Sequence, residues 1–225
     1  MSAKKTVLRV TGAIVLALTL LLPFYNAAAS QNSLTDTISA RLLSETPFSG
    51  LIGDAPTIAK PKWYTDVTFY YTIGSQGTIT SDMSEFATDA GQTLNDARGW
   101  TRIGIQFKQV ASGGTLHIIL IQASLLPGIS SACTADWSCT IGNTVYINQD
   151  RWANASDAWN TAGGSLRDYR NMVINHETGH WLGHGHEHCS GAGQLAPVMQ
   201  QQSIDLEGCK FNPWPLDSEL WTTRL

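Results

Sequence analysis

The sequence predicts an α+β fold with a mixed, mostly parallel sheet, two long helices and a small irregular C-terminal subdomain. Val67–Ile73 is rich in β-branched and aromatic residues and indicates a strand. Leu116–Ile121 is a continuous apolar run, which is typical of a strand buried on both faces. Apolar residues recur with a helical period after Asp82 and again from Leu166. Because helical crossovers connect strands that run in the same direction, we expect most strands to pair in parallel.

The segment after the first strand reads as a helix and a second strand. Asp82 is a predicted N-cap, and the apolar positions after it keep the helical period until Gly99. Ile103–Phe107 alternates as a strand. The long loop at residues 123–142 has the length of a binding loop. His117 lies inside the buried strand and is expected to be a hydrogen-bonded core residue, not a metal ligand.

The second half of the chain is expected to carry the longer helix. Thr144–Asn148 is a short strand, and residues 153–164 form another loop. Ser165 can then cap a helix from Leu166 to about Leu182. No regular pattern follows this helix until Asp217–Thr223, which reads as a short terminal helix.

The N-terminus has the three parts of a signal peptide. Lys4, Lys5 and Arg9 form a basic end, Val10–Leu22 is an apolar run, and Ala27–Ala29 offers small residues for cleavage. The apolar run is shorter than the roughly 20 residues of a membrane span. An uncleaved membrane anchor nevertheless stays open as an alternative.

These features divide the chain into three parts. Residues 1–29 are the signal peptide or membrane anchor, 30–62 are a linker or propeptide, and 63–225 are the folded domain. The protein is therefore expected to be secreted, or membrane-anchored with this domain outside. Without residues 1–29, 11 Lys and Arg remain against 18 Asp and Glu, which argues against nucleic acid and anionic lipid as partners.

The four cysteines are an even number in a chain that is expected to be exported, which indicates two disulfides. Of the three possible pairings, we favour Cys133–Cys139 and Cys189–Cys209, because each closes a local loop. A Cys₂His₂ zinc site is the rival interpretation, but the sequence has no C-x-x-C pair.

The string H-E-x-x-H-x-x-G-x-x-H predicts a metal-binding helix. Its first two histidines, His176 and His180, are four residues apart and therefore share one helix face. Glu177 directly follows the first of them and can lie beside the metal. Gly183 can adopt positive φ, end the helix and let His186 return as a third ligand. Three protein ligands leave one position open, as a catalytic zinc requires.

This string matches the zinc-binding consensus of the metzincin metalloproteases at every specified position, and Met199 lies where that family has its methionine turn. Val173–Pro215 also resembles a family of secreted, metzincin-like bacterial proteins found mainly in actinobacteria. The resemblance implies a zincin fold over residues 63–225, with a twisted sheet in front of two long helices. It further implies that Met199 packs beneath the three histidines and that Thr144–Asn148 is an edge strand pairing with a peptide substrate.

The expected activity is that of a secreted zinc endopeptidase acting on peptides or proteins. Zn²⁺ held by His176, His180 and His186 would polarise the scissile carbonyl and lower the pKa of a water molecule, with Glu177 as general base. Two alternatives stay open. One is a non-catalytic zinc-binding or interaction module on a protease fold, and the other is a zinc hydrolase of cell-wall peptides.

Other residues near the string are weaker ligand candidates. His184 and His188 are expected to lie beside the metal ligands or at the surface. In the gluzincin arrangement, a downstream glutamate, here Glu207 or Glu219, would be the third ligand. That arrangement is disfavoured because His186 already fits.

Overall fold

The computed structural model describes residues 67–225. The predictions for residues 1–29 and 30–62, and the first four residues of the 63–225 domain, lie outside the described residues. Within residues 67–225, no helix is both long enough and apolar enough to cross a membrane.

Within the described residues, five strands form one mixed, mostly parallel sheet. They are β1 (Val67–Gln76), β2 (Ile105–Gln109), β3 (Leu116–Ile121), β4 (Cys139–Ile141) and β5 (Thr144–Asn148). Their order is β2-β1-β3-β5-β4, and each neighbouring pair is parallel except β4 and β5. The prediction of a mostly parallel sheet combined with helices is therefore confirmed.

One edge of the sheet differs from the prediction. β5 is not the edge strand, because β4 pairs with it in antiparallel register on its outer side. β4 lies inside the segment predicted to be a loop, since a strand of three residues is too short to show an alternating pattern. Gly142 adopts a φ of 61° between the two strands, which suits a tight hairpin turn.

Among residues 67–225, four α-helices accompany the sheet. They are α1 (Met83–Leu94), α2 (Gln149–Asn154), α3 (Asp157–Thr161) and α4 (Leu166–Leu182). The prediction of a loop over residues 153–164 was wrong, because α2 and α3 occupy much of it. The predicted terminal helix was also wrong in extent, since only the 3₁₀ turn Asp217–Glu219 forms. Further 3₁₀ turns lie at Trp100–Ile103 and Ala123–Gly128.

β3 was predicted to be buried on both faces, but only one face is fully buried, because His117 and Ile119 on the other face are half-buried. Leu120 belongs to the main core, which also contains residues of α1 and α4. Its neighbour Ile121 packs on the opposite face against Leu126. His117 in the same strand is half-buried and lies 2.8 Å from the Thr72 hydroxyl through its Nδ1, so it is a hydrogen-bonded residue of the sheet, as predicted.

Polar contacts fix α4 against α1. The Thr93 hydroxyl donates to the side-chain oxygen of Asn171 at 2.9 Å. Arg170 lies 2.7 Å from the Glu85 carboxylate and 3.1 Å from that of Asp89. These contacts join the two long helices to each other.

Both predicted disulfides are present. Cys133 pairs with Cys139 and Cys189 pairs with Cys209, each with a Cα–Cα distance of 5.7 Å. After Gly183 the described chain consists of turns, isolated bridges and one 3₁₀ turn, which agrees with the predicted irregular C-terminal region.

Candidate metal centre

Helix α4 positions the first two histidines and the glutamate. The Ser165 hydroxyl caps its N-terminus by accepting the backbone N–H of Asp168 at 3.0 Å. The helix ends at Gly183, which has a left-handed φ of 109°. The chain therefore turns at this glycine, and His186 lies close to the helix.

The structure brings the three predicted histidines together. The candidate ligand atoms of His176, His180 and His186 all lie within 4.8 Å of one another, so the group can hold a metal ion. Nε2 of His180 lies 3.1 Å from Nε2 of His186. No other group of three or more such side chains that can hold a metal occurs among residues 67–225.

Backbone carbonyls orient two of the three rings. Nδ1 of His176 lies 2.8 Å from the carbonyl oxygen of Val198, and Nδ1 of His180 lies 2.9 Å from that of His184. Since a carbonyl oxygen only accepts, each Nδ1 must carry the proton, which assigns the lone pair to Nε2. Metal-ligating histidines have this arrangement, because the outer hydrogen bond fixes both the tautomer and the ring orientation.

Burial keeps these imidazoles neutral. Burial, together with the smaller effect of the neighbouring His180, lowers the pKa of His176 to about 3. The pKa values of His180 and His186 are also lowered, chiefly by burial. Since a metal ligates only the neutral imidazole, the three histidines have the donor chemistry that a zinc site needs.

Glu177 lies beside the histidines and is almost entirely buried, with 4% of its surface exposed. Burial raises the pKa of its carboxyl to about 7, opposed by a hydrogen bond from Thr140. The Thr140 hydroxyl lies 2.7 Å from Oε2 of Glu177 and 2.9 Å from its backbone carbonyl oxygen. A carboxyl with a pKa near neutrality can both accept and return a proton.

Met199 packs against the helix between the two histidines. A Cβ placed on Gly179 would collide with the sulfur of Met199, so the two residues are in close contact. Met199 is fully buried, and its backbone N–H donates to Oε1 of Glu219 at 2.8 Å. The turn therefore closes the site from the side of the C-terminal region.

A cleft of about 460 Å³ runs past these residues. Its walls include β4, the α4 residue Tyr169 and residues 201–204, together with Glu177 and the three histidines. The Tyr169 hydroxyl lies 2.9 Å from that of Ser203, which joins two of the walls. A wider cavity of about 590 Å³ near the start of β1 shares only His180 with this site and does not include Glu177.

The weaker ligand candidates are placed elsewhere. The ring of His184 is buried beside Trp221, with Nε2 2.9 Å from the carbonyl oxygen of that residue. His188 lies 2.8 Å from Glu207 at the surface. Both carboxylate oxygens of Glu219 accept backbone N–H groups. The arrangement with a glutamate as third ligand therefore has no support in the structure.

Sequence reasoning missed two residues of this centre. Thr140 lay in a predicted loop, and no motif points to it. Glu219 was considered only as a possible metal ligand, whereas its carboxylate holds the turn at Val198 and Met199.

Comparisons with known proteins supply a family but no activity. A family model with the description "Protein of unknown function (DUF3152)" matches residues 40–217. The crystal structure of archaemetzincin from Methanopyrus kandleri is similar to this chain, with a TM-score of 0.40 and 10% sequence identity. The match covers 68% of this chain and 92% of that chain. No curated protein matches the chain. Since so distant a structural likeness carries no functional argument, the chemistry of the centre rests on the residues of this chain.

Proposed function

Because this chain belongs to the DUF3152 family of proteins of unknown function, we propose its activity from the centre itself: it is a zinc-dependent endopeptidase of the metzincin type. One observation carries the proposal. Three neutral imidazoles lie within reach of one ion, and the buried carboxyl of Glu177 follows the first of them on the same helix. That combination suits the hydrolysis of an amide bond.

His176, His180 and His186 would hold the ion. A set of three nitrogen ligands favours Zn²⁺, since carboxylate and carbonyl oxygens favour Mg²⁺ and Ca²⁺. When bound, the ion supplies Lewis acidity, which polarises the scissile carbonyl and lowers the pKa of the attacking water. The proton transfers of the reaction are carried out by a side chain of the protein itself.

Glu177 is the general base and then the general acid. Its carboxylate accepts a proton from the attacking water, and the same carboxyl group donates that proton to the leaving nitrogen. Burial supports this role, because it raises the pKa towards the pH at which a group can exchange protons in both directions.

The cleft supports a peptide as substrate. β4 is an edge strand that lines the cleft, so an extended peptide can add to its outer side through backbone hydrogen bonds. The metzincin resemblance implied that β5 pairs with the substrate, and we assign this pairing to β4 because β4 is the edge strand. Within the described part of the chain, Glu177, the three histidines and the hydroxyl of Tyr169 are the only ionisable groups that line the cleft. We therefore expect peptides with uncharged side chains near the cleaved bond to be preferred.

The two disulfides support an oxidising, extracellular environment, where such bonds persist. Secretion through residues 1–29 agrees with this and stays a prediction, as does the resemblance of Val173–Pro215 to secreted actinobacterial proteins.

The proposal is tested by metal content and hydrolysis with the purified protein and its Glu177→Gln variant. We expect one zinc per chain in both, and hydrolysis of casein or of a peptide library by the wild type alone. Glu85→Gln is the matched control, since it changes a half-exposed glutamate on α1 outside the cleft and should keep full activity.

Two outcomes would contradict an endopeptidase. Equal turnover by wild type and Glu177→Gln would exclude the proposed base. Zinc in both proteins, with turnover of cell-wall peptides only or of no substrate, would favour one of the two alternatives, a cell-wall hydrolase or a binding module.

A further inference from the structure

Thr140 is a half-buried residue of β4 that lines the cleft. In the antiparallel register of β4 and β5, Thr140 stands opposite Val145. Directly opposed residues share one face of the sheet, and Val145 is fully buried in the main core beneath the helices. A valine would have the same shape as threonine at this site, so the hydroxyl needs a separate explanation.

Both hydrogen-bonding contacts of the Thr140 side chain are with Glu177. Its hydroxyl oxygen lies 2.7 Å from Oε2 and 2.9 Å from the backbone carbonyl oxygen of that residue. Among the described residues, no hydrogen bond reaches the second carboxylate oxygen, Oε1. One oxygen of Glu177 is therefore anchored to β4, while the other is left for a reactant in the cleft.

We propose that Thr140 is a positioning residue for Glu177, an inference that rests on the proposed endopeptidase function. Its hydroxyl contacts both Oε2 and the backbone carbonyl oxygen of Glu177, and these two contacts fix the rotation of the Glu177 side chain. The free oxygen then has a defined direction relative to the three histidines.

A hydroxyl suits this task because it has one proton and two lone pairs. While Glu177 is a carboxylate, Thr140 donates to Oε2. Once the free oxygen Oε1 has accepted the proton, Oε2 is the carbonyl oxygen of the acid and remains an acceptor, so Thr140 can keep donating to it. The carboxyl group therefore keeps one position through both proton transfers.

This contact also joins substrate binding to the base. β4 is the edge strand that a bound peptide would extend, and Cys139, the neighbour of Thr140, is held by the disulfide to Cys133. The strand that aligns the peptide thus sets the direction of the carboxylate that acts on it.

Two matched pairs of side chains isolate the hydroxyl. Thr140→Val removes it at constant shape, and Thr140→Ser and Thr140→Ala differ from each other by the hydroxyl alone. We expect kcat to fall about 10–100-fold in the valine and alanine variants, which is the loss of rate that a misplaced catalytic group causes. KM should change less than about threefold. Thr140→Ser should keep kcat within about threefold of wild type. A kcat unchanged by Thr140→Val, or a serine variant as slow as the alanine variant, would overturn the proposal.

A second measurement needs no activity. In chelator-treated protein, Thr140→Val should lower Tm by roughly 3–6 °C, and by less than half as much when Glu177→Ala is already present. Equal Tm shifts with and without Glu177→Ala would show that the Thr140 hydroxyl does not interact with the Glu177 side chain. If the valine variant does not fold, the serine and alanine variants are compared in the same way. An inactive wild type with unequal shifts would defeat the endopeptidase and still support the anchoring of Glu177 by Thr140.

Discussion

The carboxylate of Glu219 accepts the backbone N–H of Met199 at 2.8 Å, and no part of Glu219 is exposed to solvent. The same carboxylate accepts the N–H groups of Val198 at 3.0 Å and Leu216 at 2.7 Å. Since the carbonyl oxygen of Val198 in turn meets Nδ1 of His176, the buried carboxylate supports a metal-ligand candidate through the turn.

Replacing Glu219 should therefore weaken both the fold and the centre. Glu219→Ala leaves the buried N–H groups of Val198 and Met199 and the part-buried N–H of Leu216 without this acceptor. An unpaired buried N–H costs about 1–3 kcal/mol, so we expect the free energy of unfolding to fall by at least about 2 kcal/mol. Zinc affinity should fall about 10–100-fold, as when outer partners of ligands are lost. Urea unfolding of metal-free protein and a zinc competition assay measure the two effects.

The control for Glu219 is Glu85→Gln, which breaks a half-exposed ion pair worth at most about 1 kcal/mol. Glu219→Gln is the closer test, because it keeps one acceptor oxygen but turns an amide N–H₂ towards a backbone donor. The free energy of unfolding of Glu219→Gln should lie between those of Glu85→Gln and Glu219→Ala. An alanine variant no less stable than the control would show that Glu219 does not hold the turn.

The contrast between His186 and Glu219 shows how far sequence reasoning reaches at this site. His186 belongs to a string whose spacing follows from one helix and one glycine, so its place beside His176 and His180 could be predicted. Glu219 meets Val198 and Met199 across about twenty residues of irregular chain. No periodicity describes that path, because it depends on how turns and the Cys189–Cys209 disulfide fold the tail back.

The sheet shows the same limit. β1 carries a composition signal over Val67–Ile73 and β3 over all of Leu116–Ile121, so both strands were predicted, although β1 continues to Gln76. β4 has three residues, and its place at the edge is set by its pairing with β5, a contact that local composition does not encode. The position of Thr140 in the centre could therefore not be read from the sequence.

Gly179→Ala should destabilise the protein although alanine favours helices. The gain in helix propensity is about 1 kcal/mol. The added Cβ would overlap the sulfur of Met199 and lie 2.9 Å from Cζ2 of Trp100, both buried, and such overpacking costs about 1–3 kcal/mol. The difference is a net loss of up to about 2 kcal/mol in the free energy of unfolding, measured by urea unfolding.

Truncation of the partner tests the cause of that loss. Met199→Ala alone should cost about 2–5 kcal/mol, because it leaves a cavity. The double variant should lose clearly less than the sum of the two single losses, since the new methyl group enters the vacated space. Strict additivity would mean that Gly179 is not required by its contact with Met199.

The stability of the metal-free protein should depend on pH through Glu177. Burial raises the pKa of its carboxyl from 4.5 to about 7, so folding disfavours the ionised form. The stability that this group contributes is present below pH 4.5 and is lost as the pH rises through about 7. Relative to Glu177→Gln, the wild type should lose on the order of 3 kcal/mol across this window.

The difference between the two proteins isolates Glu177, because the three histidines are present in both. The measurement is urea unfolding at several pH values between 4.5 and 8, with a chelator throughout. Adding zinc should reduce the dependence, since a nearby cation favours the carboxylate. Parallel stability profiles of the two metal-free proteins would contradict the raised pKa.

Substitution of single histidines should separate ligands from neighbours. His186→Gln removes one of three ligand candidates and should weaken zinc binding by more than about 100-fold, beyond the loss expected for an outer partner. His188→Gln is the matched control two residues away, because His188 pairs with Glu207 at the surface and should change zinc affinity less than about threefold. Competition with a chromophoric chelator gives both affinities. Similar losses in the two variants would indicate a histidine-rich turn that binds metal loosely, because a site built by α4 and the turn at Gly183 requires His186 and does not use His188.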